Sequence, residues 1–343
     1  MAITGGKLMT INIALHCRDG MVFGCDSLGS MIKPFIDPTT GVPIIDKSSG
    51  QPLLHPDSGE PIIDIRTMKS TNLVVNTLGY ENKLLTIPGY PVGILTSGLG
   101  MIDCRCIEDL IGEFVFSSPP AEEKKISVKS VVDQLKPYLG SLYEKEFRTL
   151  PDIKAGPKLN LIIGGYSSSE YLGEIYQLTF PSGDISNVNS KEKPYMMMTS
   201  GQNDAIERFI NGMETNTAKN IIGSLLNMVN AALSRMEKHT REHILSELKK
   251  RGIDAADIPP TPVLGMKEQV SFKLAKYNIP FNLFSIQNAV DFVVFLIYIV
   301  YGRQRFVVGI PTVGGKVKIA YITKHEGFRD LTPQKIDVSI FTI

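Results

Sequence analysis

The stretch from Thr10 to Asp26, Thr-Ile-Asn-Ile-Ala-Leu-His-Cys-Arg-Asp-Gly-Met-Val-Phe-Gly-Cys-Asp, constrains the fold of this chain more than any other. Ile11, Ile13 and Leu15 alternate with smaller or polar residues, which is the period of a half-buried strand. Arg18-Asp19-Gly20 is a turn signal and Met21 to Cys25 is a second apolar run, so the stretch reads as a β-hairpin. The loop length decides which side chains share a face, because a slip of one residue turns a strand over. A two-residue turn pairs Ile13 with Asp26 and places Asp26 away from Thr10. A three-residue loop with Gly20 in the left-handed region pairs Asn12 with Asp26 and places Asp26 on the face of Thr10. A glycine in third place favours the longer loop.

The rest of the chain reads as strands and helices around this hairpin. Asn72 to Ser97 alternates like two or three strands, with Pro88-Gly89-Tyr90-Pro91 as a loop. Ile102 to Phe116 has helical spacing, and Ser127 is a candidate N-cap for a helix through Arg148 that contains Pro137. Lys158 to Met198 returns to strands, and Asp204 to Met213 is a short helix. Thr215 to Lys250 is one long helix or two, ended by Gly252. Asp254 to Phe281 is Pro-rich and irregular. Ser285 to Arg305 is a further helix and Lys316 to Thr323 a closing strand. Phe292 to Tyr301, the longest apolar run, is shorter than the ~20 residues that span a bilayer. It is expected to be buried between layers.

Residues Asp37 to Ile63 repeat with a period of nine: Asp-Pro-Thr-Thr-Gly-Val-Pro-Ile-Ile, Asp-Lys-Ser-Ser-Gly-Gln-Pro-Leu-Leu, His-Pro-Asp-Ser-Gly-Glu-Pro-Ile-Ile. Each unit is a turn with glycine supplying positive φ, then proline and an apolar pair. The segment is either a solvated surface arm or a subunit-contact or pore-lining arm; the apolar pairs, which want burial, speak for the latter.

A formal net charge of +1 gives no push toward nucleic acid or an anionic membrane. The four cysteines, Cys17, Cys25, Cys104 and Cys106, have neither a secretory signal nor zinc-site spacing and are expected to be reduced, buried thiols of a cytoplasmic protein. His239 and His243 stand one helical turn apart without an accompanying acidic motif, so no metal or other cofactor is expected.

The hairpin resembles the start of a mature proteasome β-subunit, and the chain is similar to the bacterial Anbu-like group of these N-terminal-nucleophile hydrolases. In that family a threonine opens the first strand, a Lys/Arg-Asp-Gly turn follows, and the second strand ends in Asp. Lys83-Leu84-Leu85-Thr86-Ile87 resembles the strand that carries the family lysine. Val92 to Leu99 resembles the next strand and its Ser-Gly exit. Leu159 to Tyr166 with Glu174 to Gly183 resembles a later hairpin, Thr199-Ser200-Gly201 the segment before a helix, and Val313-Gly314-Gly315-Lys316-Val317 the lead into the last strand. The resemblance implies an α+β fold, a four-layer αββα sandwich of two antiparallel sheets. That domain would span 10–343, with insertions at 31–66 and at about 214–284. Residues 1–9 would be a short propeptide or a start upstream of the true one at Met9.

The implied function is a threonine peptidase, cleaving peptides or unfolded protein inside a homo-oligomeric chamber, with an ATP-dependent unfoldase as a further partner. A freed α-amine, with a pKa near 7.7–8.0, is a base for the hydroxyl of the same residue. By resemblance Thr10 is the nucleophile, Lys83 holds positive charge beside it, Asp26 pairs with Lys83, Ser200 binds the amine, and the backbone near Ser97 and Gly98 forms the oxyanion hole. The family's Asp-x-x-Ser-Gly-Gly appears here as Ile310-Pro311-Thr312-Val313-Gly314-Gly315; the Asp and Ser are absent, which implies either a weaker activity or Thr312 as a stand-in. Two other functions stay open: an inactive homologue that builds a ring or shell, and an amidase or acylase of the same superfamily.

Overall fold

The computed structural model describes residues 10–37, 40–46, 49–56, 58–64, 67–79, 81–117, 127–150, 152–252, 277–308 and 310–332. Residues 1–9, expected as a propeptide or an upstream false start, and most of the Pro-rich stretch after Lys250 lie outside them. In chain order the elements are β1 (Ile11–His16), β2 (Met21–Cys25), β3 (Gly29–Asp37), β4 (Val42–Pro43), β5 (Ile63–Asp64), β6 (Lys69–Leu78), β7 (Leu84–Thr86), β8 (Val92–Gly98), β9 (Met101–Ile102) and β10 (Arg105–Cys106). There follow α1 (Ile107–Ser117), α2 (Val128–Phe147), β11 (Leu159–Gly165), β12 (Glu174–Phe180), β13 (Asp184–Asn187) and β14 (Met197–Gly201). The last are α3 (Asp204–Asn211), α4 (Thr215–Lys250), α5 (Ile286–Gln304), β15 (Lys318–Thr323) and β16 (Gly327–Asp330). By contacts the chain divides into one unit of Met1–Asn203 with Ile279–Ile343 and a second of Asp204–Asn278.

The first unit is α+β, with two five-stranded antiparallel sheets of order β14-β1-β2-β15-β16 and β13-β12-β11-β8-β7. Strands β1, β2, β8 and β11 are buried along nearly their whole length, on both faces. Met21, Phe23, Ala320 and Ile322 of the first sheet share one buried cluster with Leu84, Leu95, Ile162 and Ile175 of the second. The other face of the second sheet, through Ile94, Leu161, Ile163 and Leu178, packs with Leu110 and Ile111 of α1 and Val132, Leu135 and Leu139 of α2. The other face of the first sheet meets α5: a Cβ on Gly24 would lie 2.4 Å from Val293 Cγ1 and 3.0 Å from Ile297 Cδ1. Helix α2 starts where expected, with Ser127 accepting from Ser130 N, and carries Pro137 inside it. Helix α5 opens with a capping box between Ser285 and Asn288.

Four expectations are corrected. The hairpin pairs Asn12 with Cys25 and His16 with Met21, around a four-residue loop closed by Cys17 N–H donating to Gly20 O at 2.8 Å. Gly20 has no positive φ; glycine is needed because a Cβ would lie 2.5 Å from Ile322 O and 2.7 Å from Ile286 Cδ1. The helix expected from Ile102 begins at Ile107, because Met101–Ile102 and Arg105–Cys106 form a small hairpin with Asp103 and Cys104 at φ 53° and 58°. Helix α5 is covered on one side only: Val293, Leu296, Ile297 and Val300 are buried, whereas Phe295 and Tyr298 are exposed. It is long and apolar enough to cross a membrane by length and composition, and its buried stripe against the sheet gives it the role of a core helix. All four cysteines are free, but only Cys17 and Cys25 are buried; Cys104 is exposed.

Strands β3 and β6 form a separate ribbon, paired from Gly29 opposite Leu78 to Asp37 opposite Lys69. The repeats sit at its far end and close on one another. Leu53 N–H donates to Ile44 O, Ile62 N–H to Leu53 O, and Ile44 N–H to Ile62 O, each at 2.8 Å. The flanking pairs follow the same rule: Ile45 faces Pro52, Leu54 faces Pro61, and Ile63 faces Pro43. Gly50 and Gly59 adopt φ 68°, the positive φ their turns need. Gly41 does not; a Cβ there would lie 2.0 Å from Ile63 Cγ2. The apolar pairs stay largely exposed, Ile45 at 50% and Leu54 at 56%.

In the second unit, Thr215–Lys250 is a single helix, capped by Arg251 N–H on Glu247 O and Leu248 O and ended by Gly252 at φ 70°. Phe209 and Tyr277 stack at 6.0 Å in the same unit.

Candidate active site

Two strand ends and one loop bring the expected residues together. Lys83 lies just before β7 and reaches Thr10 Oγ1 at 2.9 Å, Asp26 Oδ1 at 3.0 Å and Leu28 O at 2.6 Å. An ammonium has three hydrogens, and here each has an acceptor. Thr10 Oγ1 in turn donates to Asp26 Oδ1. Asp26 also accepts from Ile11 N–H (3.0 Å), Leu28 N–H (3.3 Å) and Gly314 N–H (3.2 Å). Thr10, Asp26 and Lys83 are all buried. A lone buried charge is costly, and the Lys83–Asp26 pair with its further hydrogen bonds answers that cost.

The register explains how Asp26 gets there. Alternation from Cys25 sends residue 26 to the face of Gly24, the side of α5, away from Thr10. The chain leaves the ladder at this point: Asp26 N–H still donates to Ile11 O at 3.3 Å, but Ser27 N–H goes to Gly314 O at 3.2 Å. That bend swings the carboxylate around the end of β1 and onto Thr10. The contact anticipated from a three-residue loop therefore exists, by a different route.

Ser200 is opposite Asn12 in the β14–β1 register, on the same face as Thr10, and its Oγ lies 3.2 Å from Ser97 Oγ. Gly98 ends β8 opposite Leu159 at φ 96°. Thr96 N–H donates to Lys83 O at 3.0 Å, so by alternation the N–H of Gly98 points to the same edge, beyond the start of β7. Val313, at the family's serine position, is buried and apolar. The Thr312 hydroxyl accepts from Gln202 Nε2, whereas the hydrogen-bond partners of Thr10 Oγ1 are Asp26 and Lys83.

Several participants were not found from sequence. Ser27 Oγ accepts from Lys316 N–H at 2.8 Å and fixes the loop before β15. Gly315 has φ 78°, and a Cβ there would lie 2.6 Å from that same Ser27 Oγ. Asn12 Nδ2 donates to Thr96 O at 2.9 Å and ties the two sheets beside the site. Gln202 N–H donates to Thr10 O at 2.7 Å. The available signal was position: Ser27 follows Asp26 and Gln202 follows Ser200-Gly201.

Burial sets the electrostatics around the centre. Burial, with Asp26 as the next largest influence, pushes the Cys25 thiol up to about 12, which leaves it unreactive near neutral pH. Lys318, on the strand paired with β2, is lowered by burial, and its Nζ donates to Asn82 Oδ1 at 2.8 Å. Among the described residues no group of His, Cys, Asp and Glu is arranged to hold a metal. The set can therefore place a hydroxyl between a cation and a carboxylate, out of bulk water.

No family model and no curated protein matches the sequence. Among solved structures the chain is similar to the helical assembly of the Anbu complex from Pseudomonas aeruginosa, with 10% identity over 97% of this chain and 90% of that one and a TM-score of 0.45. It is similar to Anbu, the ancestral β-subunit, from Yersinia bercovieri, with 10% identity, the same coverages and a TM-score of 0.41. It is also similar to an Anbu Gly-1 mutant from Hyphomicrobium sp. strain MC1, with 10% identity over 96% of this chain and 87% of that one and a TM-score of 0.44. The similarity to these proteasome-β-like structures extends over most of the chain.

Proposed function

We propose that this chain is a proteasome-type threonine peptidase, an N-terminal-nucleophile hydrolase that uses Thr10. One observation carries the reading: Thr10 Oγ1 sits between Lys83 Nζ and Asp26 Oδ1, buried with both. Lys83 as a cation lowers the cost of alkoxide character on Oγ1, and Asp26 holds Lys83 in place. Once the chain begins at Thr10, its α-amine replaces Asp26 as acceptor of the hydroxyl proton and takes it, and Oγ1 attacks a peptide carbonyl. The oxyanion is received by the N–H of Gly98, whose positive φ and missing side chain let a carbonyl approach. Collapse of the intermediate transfers the proton to the leaving amine and leaves an ester on Oγ1. Water then hydrolyses the ester and regenerates the threonine. Ser200, with Ser97, lines the same face and hydrogen-bonds the amine.

Two facing sheets with helices on their outer faces support reading the first unit as the four-layer αββα sandwich of this class. We place the protein in the cytoplasm, acting on peptides or unfolded chains within a homo-oligomer, with an unfoldase as the feeding partner. The absence of the Asp and Ser before Gly314-Gly315 favours a second reading, a homologue that assembles without turnover.

Intact mass and peptide hydrolysis separate the two. The expected result is an N-terminus at Thr10 in the active protein, no hydrolysis by Thr10→Ala, and a loss of about 10²–10³ in rate for Lys83→Ala with the fold retained. Residues 1–9 kept on an active preparation, or near-normal turnover by Lys83→Ala, overturns the peptidase reading.

A further inference from the structure

Thr10 is held at its side chain by Lys83 and Asp26, and at its carbonyl by Gln202, which takes no part in the steps above. Gln202 N–H donates to Thr10 O at 2.7 Å. Before it, Gly201 has φ 93°, and a Cβ there would lie 1.9 Å from Thr10 O, so the two main chains touch at this point. The Gln202 side chain then runs into a closed polar set. Its Nε2 donates to Thr312 Oγ1, its Oε1 accepts from Gln304 Nε2, and Thr312 N–H donates to Gln304 Oε1 at 3.5 Å. Three segments meet there: the end of β14, the loop before β15 and the last turn of α5. The same loop is fixed to the other side of the centre, since Gly314 N–H donates to Asp26 Oδ2 and Lys316 N–H to Ser27 Oγ.

We propose that Gln202 is a positioning residue for Thr10, itself held by Thr312 and Gln304. The inference rests on reading Thr10 as the nucleophile. Lys83 and Asp26 fix Oγ1, and Gln202 fixes the carbonyl. With two substituents of a tetrahedral carbon held, the third, the nitrogen, has one direction left. An amine so aimed removes the Oγ1 proton without first searching for its geometry. The set also adds no charge. Asp26 and Lys83 are the charged groups hydrogen-bonded to Thr10, and Gln202, Thr312 and Gln304 are neutral.

The test uses the full-length protein and a peptide vinyl sulfone, with the adduct at Thr10 followed by mass against time and pH. Thr312→Val is expected to be labelled about three- to tenfold more slowly than the parent, the scale of one lost neutral hydrogen bond, with Thr312→Ser restoring most of the rate. Gln202→Glu is expected to move the acidic limb of labelling upward by about 0.5–1 pH unit, because a nearby carboxylate favours the protonated amine. Hydrogen exchange at residues 200–203 reads the Thr10–Gln202 bond without any chemistry and is expected to accelerate in Thr312→Val. Unchanged labelling and exchange in Thr312→Val, or an unmoved limb in Gln202→Glu, overturns the proposal. A parent protein that takes no label at Thr10 sinks the peptidase reading instead. The exchange measurement then decides alone: acceleration supports the positioning role, and an unchanged rate overturns it.

Discussion

At the scale of the residue, the candidate site was legible where a residue sits inside a recognisable motif. Lys83 and Asp26 were found because the segments around them resemble the family's lysine strand and its Asp-ended hairpin, and a cation paired with a carboxylate beside a hydroxyl fits that chemistry. Gln202 and Gln304 were not, because a neutral amide suits many surfaces and its sequence neighbours say nothing of a partner about a hundred residues away. His16 shows a further effect of burial. It is 2% exposed, its Nδ1 contacts Pro194 O at 2.7 Å, and burial lowers its pKa below the ordinary 6.5. The folded state therefore binds a proton less readily than the unfolded chain. Its contribution to stability is complete above pH 6.5 and is lost as the pH falls through the depressed folded value. Urea unfolding at a series of pH values is expected to show stability dropping below pH 6.5 in the parent. His16→Asn, which keeps a donor for Pro194 O but cannot titrate, is expected to flatten that slope.

At the scale of the element, alternation identified the strands well, and the errors came from what surrounds them. Gly20 was read as a turn residue needing positive φ, but its cause is the approach of Ile322 from β15, a neighbour about three hundred residues on. The register moved by one residue as a result, and only the bend after Cys25 kept Asp26 on Thr10. Helix α1 was overextended because a two-residue hairpin has too few residues to show a period. Gly24 makes the same point about packing. It lets α5 lie on β2, and a methyl group there would fall 2.4 Å from Val293 Cγ1 and 2.9 Å from Ile319 Cδ1. Gly24→Ala is expected to lower stability by about 1–3 kcal/mol through overpacking, with Val293→Ala in the same chain recovering part of it. Chemical denaturation of the single and double variants measures both. Additive losses would place the strain elsewhere.

At the scale of the whole molecule, the sequence marked the nonapeptides as foreign to the sandwich and their apolar pairs as needing cover. The structure leaves Val42, Ile45 and Leu54 more than half exposed or at half. Covering one aliphatic side chain is worth roughly 1.5–3 kcal/mol, so exposed pairs at the end of a two-stranded ribbon are a strong drive toward association. A ribbon of two strands is also marginal by itself. The full chain is expected to be a homo-oligomer of six or more subunits in which this arm meets a neighbour. Light scattering on the parent and on a chain lacking residues 37–63 checks it. A monomeric parent, or an assembly unchanged by the deletion, would leave the arm a solvated loop.

The closed ring at the arm's tip also bears on how many units the arm can carry. In an open repeat array an added or lost unit only lengthens or shortens the stack. Here Ile44, Leu53 and Ile62 hand one hydrogen bond each to the next and the last returns it to the first. Two units leave an open edge, and a fourth has nothing to join. The count of three is thus fixed by closure.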